Sequence, residues 1–266
     1  MQLKNVRIVL TGGSGGIGSE IAKAVAAKGA RVVVVGRRAE PLAALQKQIF
    51  TAGGECHYVV ADLTSHAGRQ SLVAQASELL SGIDMLINNA GLSSYALFSE
   101  EYPEAIEQLY QTNLIAPVLL TRLVLPQMIA QGHGHIVNVG SIFGSIGCAC
   151  FVNYSSSKFA LRGFSEALRR ELEEDGIAVT YVAPRAVRTK INTPTVYRMA
   201  EAVKMKMDEP AVVAAQIVAA IEQERQDLYL GWPEKLFVRI NGLLPRLVDG
   251  ALRAQNRIMR RILREQ

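Results

Sequence analysis

A chain of 266 residues, 49% hydrophobic and 20% charged with 22 glycines, has room for one large α/β domain and too little for two enzyme domains with a linker; the balance excludes disorder. The net charge of +5 is uneven: Lys235, Arg239, Arg246, Arg253, Arg257, Arg260, Arg261 and Arg264 face Asp249 and Glu265, so residues 235–266 carry +6 and the rest −1. Cys56, Cys148 and Cys150 have neither framework nor zinc-ligand spacing, which excludes a disulfide scaffold and gives free thiols in a reducing compartment, with no metal expected.

The N-terminal MQLKNVRIVLTGG runs straight into a strand pattern, leaving no space for a secretion signal, and a cytoplasmic location is expected. Strand-length apolar runs at 6–11, 31–35, 57–61, 85–88, 135–139, 178–183 and 228–230 alternate with helical patterns at 16–28, 41–50, 65–80 and 156–174. Gly29, Gly53, Gly82 and Gly176 stand just beyond the ends of those helical patterns. Strands continuous in Val and Ile are buried on both faces, so the pattern predicts a doubly wound, seven-stranded, mostly parallel sheet covered by helices on both sides.

After the first strand, Thr11-Gly12-Gly13-Ser14-Gly15-Gly16-Ile17-Gly18 opens a helix. Glycines let the backbone approach a pyrophosphate, and the free N–H groups of a helix N-terminus attract it, so Gly12, Ser14, Gly16, Ile17 and Gly18 are expected to hold a dinucleotide. At the end of the second strand, where an acid would hold the ribose 2′-hydroxyl of NAD, stand Arg37 and Arg38. Guanidiniums suit a 2′-phosphate, which points to NADP(H), with Arg37 the stronger candidate. Residues 114–130 are the longest apolar stretch, but Arg122, Pro117 and Pro126 interrupt it, and a buried helix is expected. His133 and His135, without a carboxylate or Cys partner, read as part of a turn.

Tyr154 and Lys158 lie at i and i+4, on one helix face, where a cation beside a phenol favours phenolate and makes a workable acid/base. Ser141 follows the fifth strand, at the sheet edge where such folds bind ligands, and can hydrogen-bond a carbonyl oxygen. Pro117 lacks an N–H, so a helix there leaves the Asn113 carbonyl unpaired and able to hold a water that connects Lys158 to solvent.

Together these residues resemble the classical short-chain dehydrogenases/reductases, over residues 6–230. The matching motifs are Thr11-Gly-x3-Gly-x-Gly18, Asp62-Leu63, Asn88-Asn89-Ala90-Gly91, Asn113, Ser141 and Tyr154-x3-Lys158. The resemblance implies a Rossmann-type fold and direct hydride transfer between NADP(H) and a carbonyl or alcohol carbon of a small-molecule substrate, with Asn113, Ser141, Tyr154 and Lys158 catalytic. It further implies adenine contact by Asp62 and Leu63, cofactor support by Asn89, Ala90 and Gly91, ribose contact by Tyr154 and Lys158, and nicotinamide contacts by Pro184 and Thr189. Assembly as a homo-oligomer, dimer or tetramer, through the helices holding Asn113 and Tyr154 is likewise implied. One departure stands out, since Arg185 follows Pro184 where the family has glycine, placing a bulky cation beside the nicotinamide side.

Residues 189–208, where the family has its lid, mix Ile191, Val196, Tyr197, Met199, Met205 and Met207 with cations, as an acyl or lipid-like substrate with an anionic head near Arg185 or Arg188 would require. Residues 233–266 extend the 1–232 domain. Within them 244–263 has the period of a basic amphipathic helix, open to packing on its own domain or subunit and to peripheral contact with an anionic membrane. Nucleic acid is not expected, because the cations lie in a tail without aromatic stacking residues. The alternative to an enzyme is a non-catalytic nucleotide-binding scaffold or sensor, for which Arg185 is the one argument.

Overall fold

The computed structural model describes residues 1–265; Gln266, the last residue of the predicted extension, lies outside the described residues. Strands form where the apolar runs lie: β1 (Arg7–Thr11), β2 (Arg31–Gly36), β3 (Glu55–Val60), β4 (Met85–Asn88), β5 (Gly134–Val139), β6 (Ile177–Ala183) and β7 (Asp227–Tyr229). Helices are α1 (Gly16–Ala26), α2 (Ala39–Thr51), α3 (His66–Leu80), α4 (Pro103–Tyr110), α5 (Ala116–Gln131), α6 (Val152–Glu171), α7 (Pro194–Ala202), α8 (Pro210–Glu222), α9 (Glu234–Leu243) and α10 (Pro245–Arg264). The strand order is β3-β2-β1-β4-β5-β6-β7 and every neighbouring pair is parallel, so the expected mostly parallel sheet is parallel throughout.

Parallel neighbours need crossovers, and the crossovers cover both faces. Ile21 and Val25 of α1, Leu42 and Leu45 of α2 and Ile217 of α8 pack on one face against Val32 and Val34. Leu72 and Leu80 of α3, Leu120 and Val124 of α5 and Leu168 of α6 pack on the other against Val33 and Val35. Alternate residues of β2 thus feed opposite cores, each fully buried aliphatic side chain contributing about 1.5–3 kcal/mol. From β1 the chain winds outward to β3, then returns across to β4, leaving a crevice at the carboxyl ends of β1 and β4.

The apolar stretch near residue 120 is a helix packed on the core, as expected, but its prolines do not interrupt it. Helix continues from Pro103 to Gln131, which by length and composition alone suffices to cross a membrane, yet Leu120, Val124 and Met128 lie in the sheet-facing core. Pro117 does not interrupt it: the helix widens into a π-turn, Gln111–Ile115, immediately before the proline. At the other end of the chain, α10 matches the amphipathic pattern and is preceded by α9, a second helix the periodicity did not mark.

Candidate active site

The nucleotide end begins at the Thr11 hydroxyl, which accepts the backbone N–H groups of Asn89 and Ala90 at 3.0 Å each. The Asn89 side-chain amide donates to the Thr11 and Gly12 carbonyls at 3.0 and 3.2 Å, so the β1 and β4 turns are locked together. The loop between them has no room for side chains: a Cβ on Gly18 would stand 2.2 Å from the Gly12 carbonyl oxygen, and one on Gly12, at φ +68°, would stand 2.8 Å from Ala90 Cα. Gly16 is closed off by the Thr189 methyl, 2.7 Å from its would-be Cβ. Helix α1 starts with Gly15 as its cap and no side chain on its first N–H groups, leaving those donors beside a cavity of about 840 Å³.

Gly12, Ser14, Ile17, Gly18, Asn89 and Gly91 all border this cavity, and Asp62 and Leu63 border it at the end of β3. The Asp62 carboxyl is held below its ordinary pKa, first by the Thr64 hydroxyl at 2.7 Å and backbone N–H at 3.0 Å, then by Arg37 and Arg69. The two candidate arginines part company. Arg37 borders the cavity, whereas Arg38 is the exposed boundary residue of α2 and does not, because successive side chains leaving a strand point to opposite sides. A glycine cradle that any Cβ would fill, an uncapped helix N-terminus and a guanidinium at the far end together fit a dinucleotide.

The chemical end is assembled from β5 and α6. Ser141 is buried, accepts the Phe143 N–H at 3.1 Å and hydrogen-bonds the Tyr154 phenol. Lys158 Nζ lies 5.9 Å from the Tyr154 ring centre and donates to the Val139 carbonyl at 3.0 Å. Burial raises the Tyr154 pKa, opposed by the bond from Ser141, and burial pushes Lys158 down to about 8. In this structure burial raises the phenol above its ordinary value, and the neighbouring cation does not lower it.

Around Asn113 the helix widens into a π-turn, Gln111–Ile115, an irregularity that reorients side chains at functional sites. Asn113 lies behind the cavity wall rather than in it: its amide donates to the Leu92 carbonyl at 2.9 Å and the Ser157 hydroxyl at 3.1 Å, and its carbonyl oxygen accepts the Leu92 N–H at 2.7 Å. Asn113 Oδ1 and Lys158 Nζ nevertheless converge on Gly91, at 3.3 and 3.6 Å from a Cβ built there. Ser157, which sequence reasoning passed over, fixes this arrangement, and only a contact 44 residues apart could have shown it.

Arg185 does not close the site. Its Nε and Nη2 donate to Asp208 at 2.9 and 2.6 Å, and its Nη1 reaches Glu234 at 3.3 Å, while its backbone avoids the left-handed region that would favour glycine. Arg188 pairs with Glu209 at 3.2 Å, so neither arginine is left for the expected anionic head. Lys190, Lys204 and Lys206 border the cavity and make no ion pair among the described residues. Pro184 and Thr189 also border it. Beyond Tyr154 the cavity opens into an apolar chamber between Phe143, Phe151, Met199, Leu252 and Met259, two of them from α10. The amphipathic period of α10 was the signal available for that wall; nothing in it indicated the chamber. His133 sits 3.2 Å from Asp84, and buried His135, lowered to about 4, contacts Thr180 at 2.8 Å, so each imidazole has a structural partner.

The profile of the family described as short chain dehydrogenase matches residues 6–199. Ketoacyl reductase HetN of Nostoc sp. is 33% identical over 91% of this chain and 86% of its own length. A metagenomic short-chain oxidoreductase solved in complex with NADP is 30% identical, with TM-score 0.73 over 86% of this chain and 98% of that one. A short-chain dehydrogenase/reductase from Burkholderia phymatum, solved with NAD, shares the fold at 22% identity, TM-score 0.85, over 93% of this chain and 96% of that one. With the cradle, the cluster of Ser141, Tyr154 and Lys158 and these likenesses together, the chain belongs to the short-chain dehydrogenase family and is a nicotinamide-dependent oxidoreductase acting between carbonyl and alcohol.

Proposed function

We propose that the chain is an NADP(H)-dependent reductase/dehydrogenase of acyl or lipid-like carbonyls, with Tyr154 as its acid/base. The observation that carries this reading is the convergence of Ser141, Tyr154 and Lys158 on one cavity that also has Arg37 at its far end. Gly12, Ser14, Gly16, Ile17 and Gly18 hold the pyrophosphate, Arg37 the 2′-phosphate, Asp62 and Leu63 the adenine, and Asn89, Ala90, Gly91, Pro184 and Thr189 the nicotinamide half. The nicotinamide supplies the hydride for reduction and takes it back in oxidation.

The chain's own groups handle the oxygen. Ser141 donates a hydrogen bond to the substrate carbonyl, and Tyr154 gives its proton to that oxygen as the carbon is reduced. In the reverse direction the phenolate takes the alcohol proton. Lys158 holds the cofactor ribose and supplies the positive charge that offsets the phenolate, and Asn113 joins Lys158 to solvent through a water on its backbone carbonyl. The apolar chamber supports a long substrate tail, and the lid lysines Lys190, Lys204 and Lys206 support an anionic head.

The reading divides the chain into a catalytic unit, 1–232 with its lid 189–208, and the extension 233–266. It places the protein in the cytoplasm, where Cys56, Cys148 and Cys150 stay free, with a homo-oligomer formed through the continuous Pro103–Gln131 helix that holds Asn113 and through α6, which together expose Ile115, Leu119, Ile129, Val152 and Phe159. The test is paired fluorescence titration with NADPH and NADH. Charge-assisted bonds to a phosphate are each worth about 1.5–3 kcal/mol, so NADPH binds about 10–100-fold more tightly and Arg37→Ala removes the preference. Equal affinity in the wild type refutes the NADP(H) assignment.

A further inference from the structure

The C-terminal helices carry two apolar faces, and the fold uses one. Val248, Leu252 and Met259 of α10 face the chamber, which leaves Arg246, Arg253, Arg257, Arg260, Arg261 and Arg264 exposed around the rest of that helix. The apolar face that sequence periodicity offers to a membrane is therefore already occupied. On α9, Val238 is buried and Phe237 borders the chamber, but Leu236, Ile240 and Leu243, at i, i+4 and i+7, form a separate outward stripe. Leu243 is 81% exposed, and the stripe runs on through Leu244 at 56% and Leu247 at 63%, with Trp232 at 67% preceding it. Large aliphatic side chains in a continuous exposed run mark an interaction surface rather than ordinary scatter.

We propose that this corner, from Trp232 to Leu247, docks on an anionic lipid bilayer at the mouth of the substrate chamber. Charge complementarity selects that occupant. Lys235, Arg239 and Arg246 are interleaved with the apolar residues and exposed, the arginines of α10 continue the positive field, and Asp249 is the single acid from residue 235 to 264. An amphipathic surface of this make-up buries its leucines at the headgroup boundary while its cations meet lipid phosphates. A second copy of the chain is the poorer occupant, because pairing the corners would bring two +6 segments together, and like charges across an interface are repelled. Position gives the docking its purpose. Phe237 and Val248 line the cavity while their neighbours Leu236 and Leu247 belong to the outward stripe, so docking here would set the bilayer against an apolar entry to the cavity that Tyr154 also lines. An acyl substrate can move through it without crossing water, a consequence that rests on the substrate class proposed above; the docking itself does not.

The test is flotation of the intact chain, without nucleotide or substrate, on phosphatidylcholine vesicles with and without phosphatidylglycerol, beside titration of the same preparations with NADPH. Wild type floats with the anionic vesicles and little with the neutral ones. Lys235→Gln/Arg239→Gln weakens that partition about 30-fold, at roughly a fivefold loss per cation. Leu243→Asp/Leu247→Asp abolishes flotation yet keeps NADPH affinity and thermal stability, since both residues are exposed and outside the chamber wall. No flotation of wild type on anionic vesicles, or equal flotation of the aspartate variant, overturns the proposal. So does sedimentation showing a wild-type dimer that the aspartates dissociate while neither protein floats, which would make a second copy the occupant. Because flotation is read without turnover, its failure leaves the oxidoreductase assignment standing.

Discussion

Replacing Lys158 with methionine should stabilise the protein near neutral pH while abolishing turnover. Burial holds the Lys158 ammonium at about 8 against an ordinary 10.5, which corresponds to about 3 kcal/mol of folding free energy lost whenever the group must be charged. The sign follows from linkage. Between pH 8 and 10.5 the unfolded chain binds the proton that the folded one has shed, so wild-type stability rises with pH across that window. Below about pH 8 both states are protonated and the full penalty applies. Methionine extends as far as the Cε position of lysine and removes the charged end, but leaves the Val139 carbonyl without its 3.0 Å donor, costing about 1–2 kcal/mol. The net gain at pH 7 is then about 1–2 kcal/mol, which for a chain of this size is a rise in Tm of about 2–8 °C. Urea unfolding of the free protein at pH 7 and pH 10 measures it: the variant should be the more stable at pH 7, and its advantage should vanish or change sign by pH 10. A variant less stable at pH 7, or a gap independent of pH, would show that the ammonium is better solvated than its burial indicates and refute the reasoning.

The remaining predictions concern the acid and the lid. Tyr154→Phe removes the proton donor and should cut kcat about a hundredfold to ten-thousandfold in single-turnover reduction, while NADPH affinity by fluorescence changes little. An unchanged rate would move the acid role elsewhere. Arg185→Ala leaves Asp208 and Glu234 as part-buried carboxylates without a partner and should cost about 3 kcal/mol in urea unfolding, with KM rising more than kcat falls, because Asp208 ends the lid and Glu234 begins α9. Equal KM in both proteins would show that the lid is held independently of Arg185.

Much of the catalytic machinery was legible because it depends on local chemistry. A Tyr and a Lys four apart share a helix face whatever surrounds the helix, and glycines between a strand and a helix can be spaced for a phosphate in only a few ways. The cover of the sheet was legible too, since runs such as Val32–Val35, apolar at every position, require helices on both faces. Contacts between distant residues were not legible. The sequence suggested two phosphate-binding arginines, and the pleat left Arg37 beside the cavity and turned Arg38 away. It suggested an obstructing Arg185, and the fold supplied two carboxylates from positions 208 and 234.

By itself, then, the sequence determined a mostly parallel α/β sheet, a glycine loop before the first helix and a Tyr154–Lys158 pair one helix turn apart, because periodicity, glycine geometry and one-turn helix spacing act over a few residues. Tertiary structure decided the surroundings of Tyr154 and Lys158, where burial raises the phenol and lowers the ammonium from their ordinary values, and the seat of Asn113 on Ser157 and Leu92. It also decided which apolar stripe of the C-terminal helices faces inward: Met259 packs with Val196 and Met199 of the lid and with Tyr95, and no pattern along the chain records that packing.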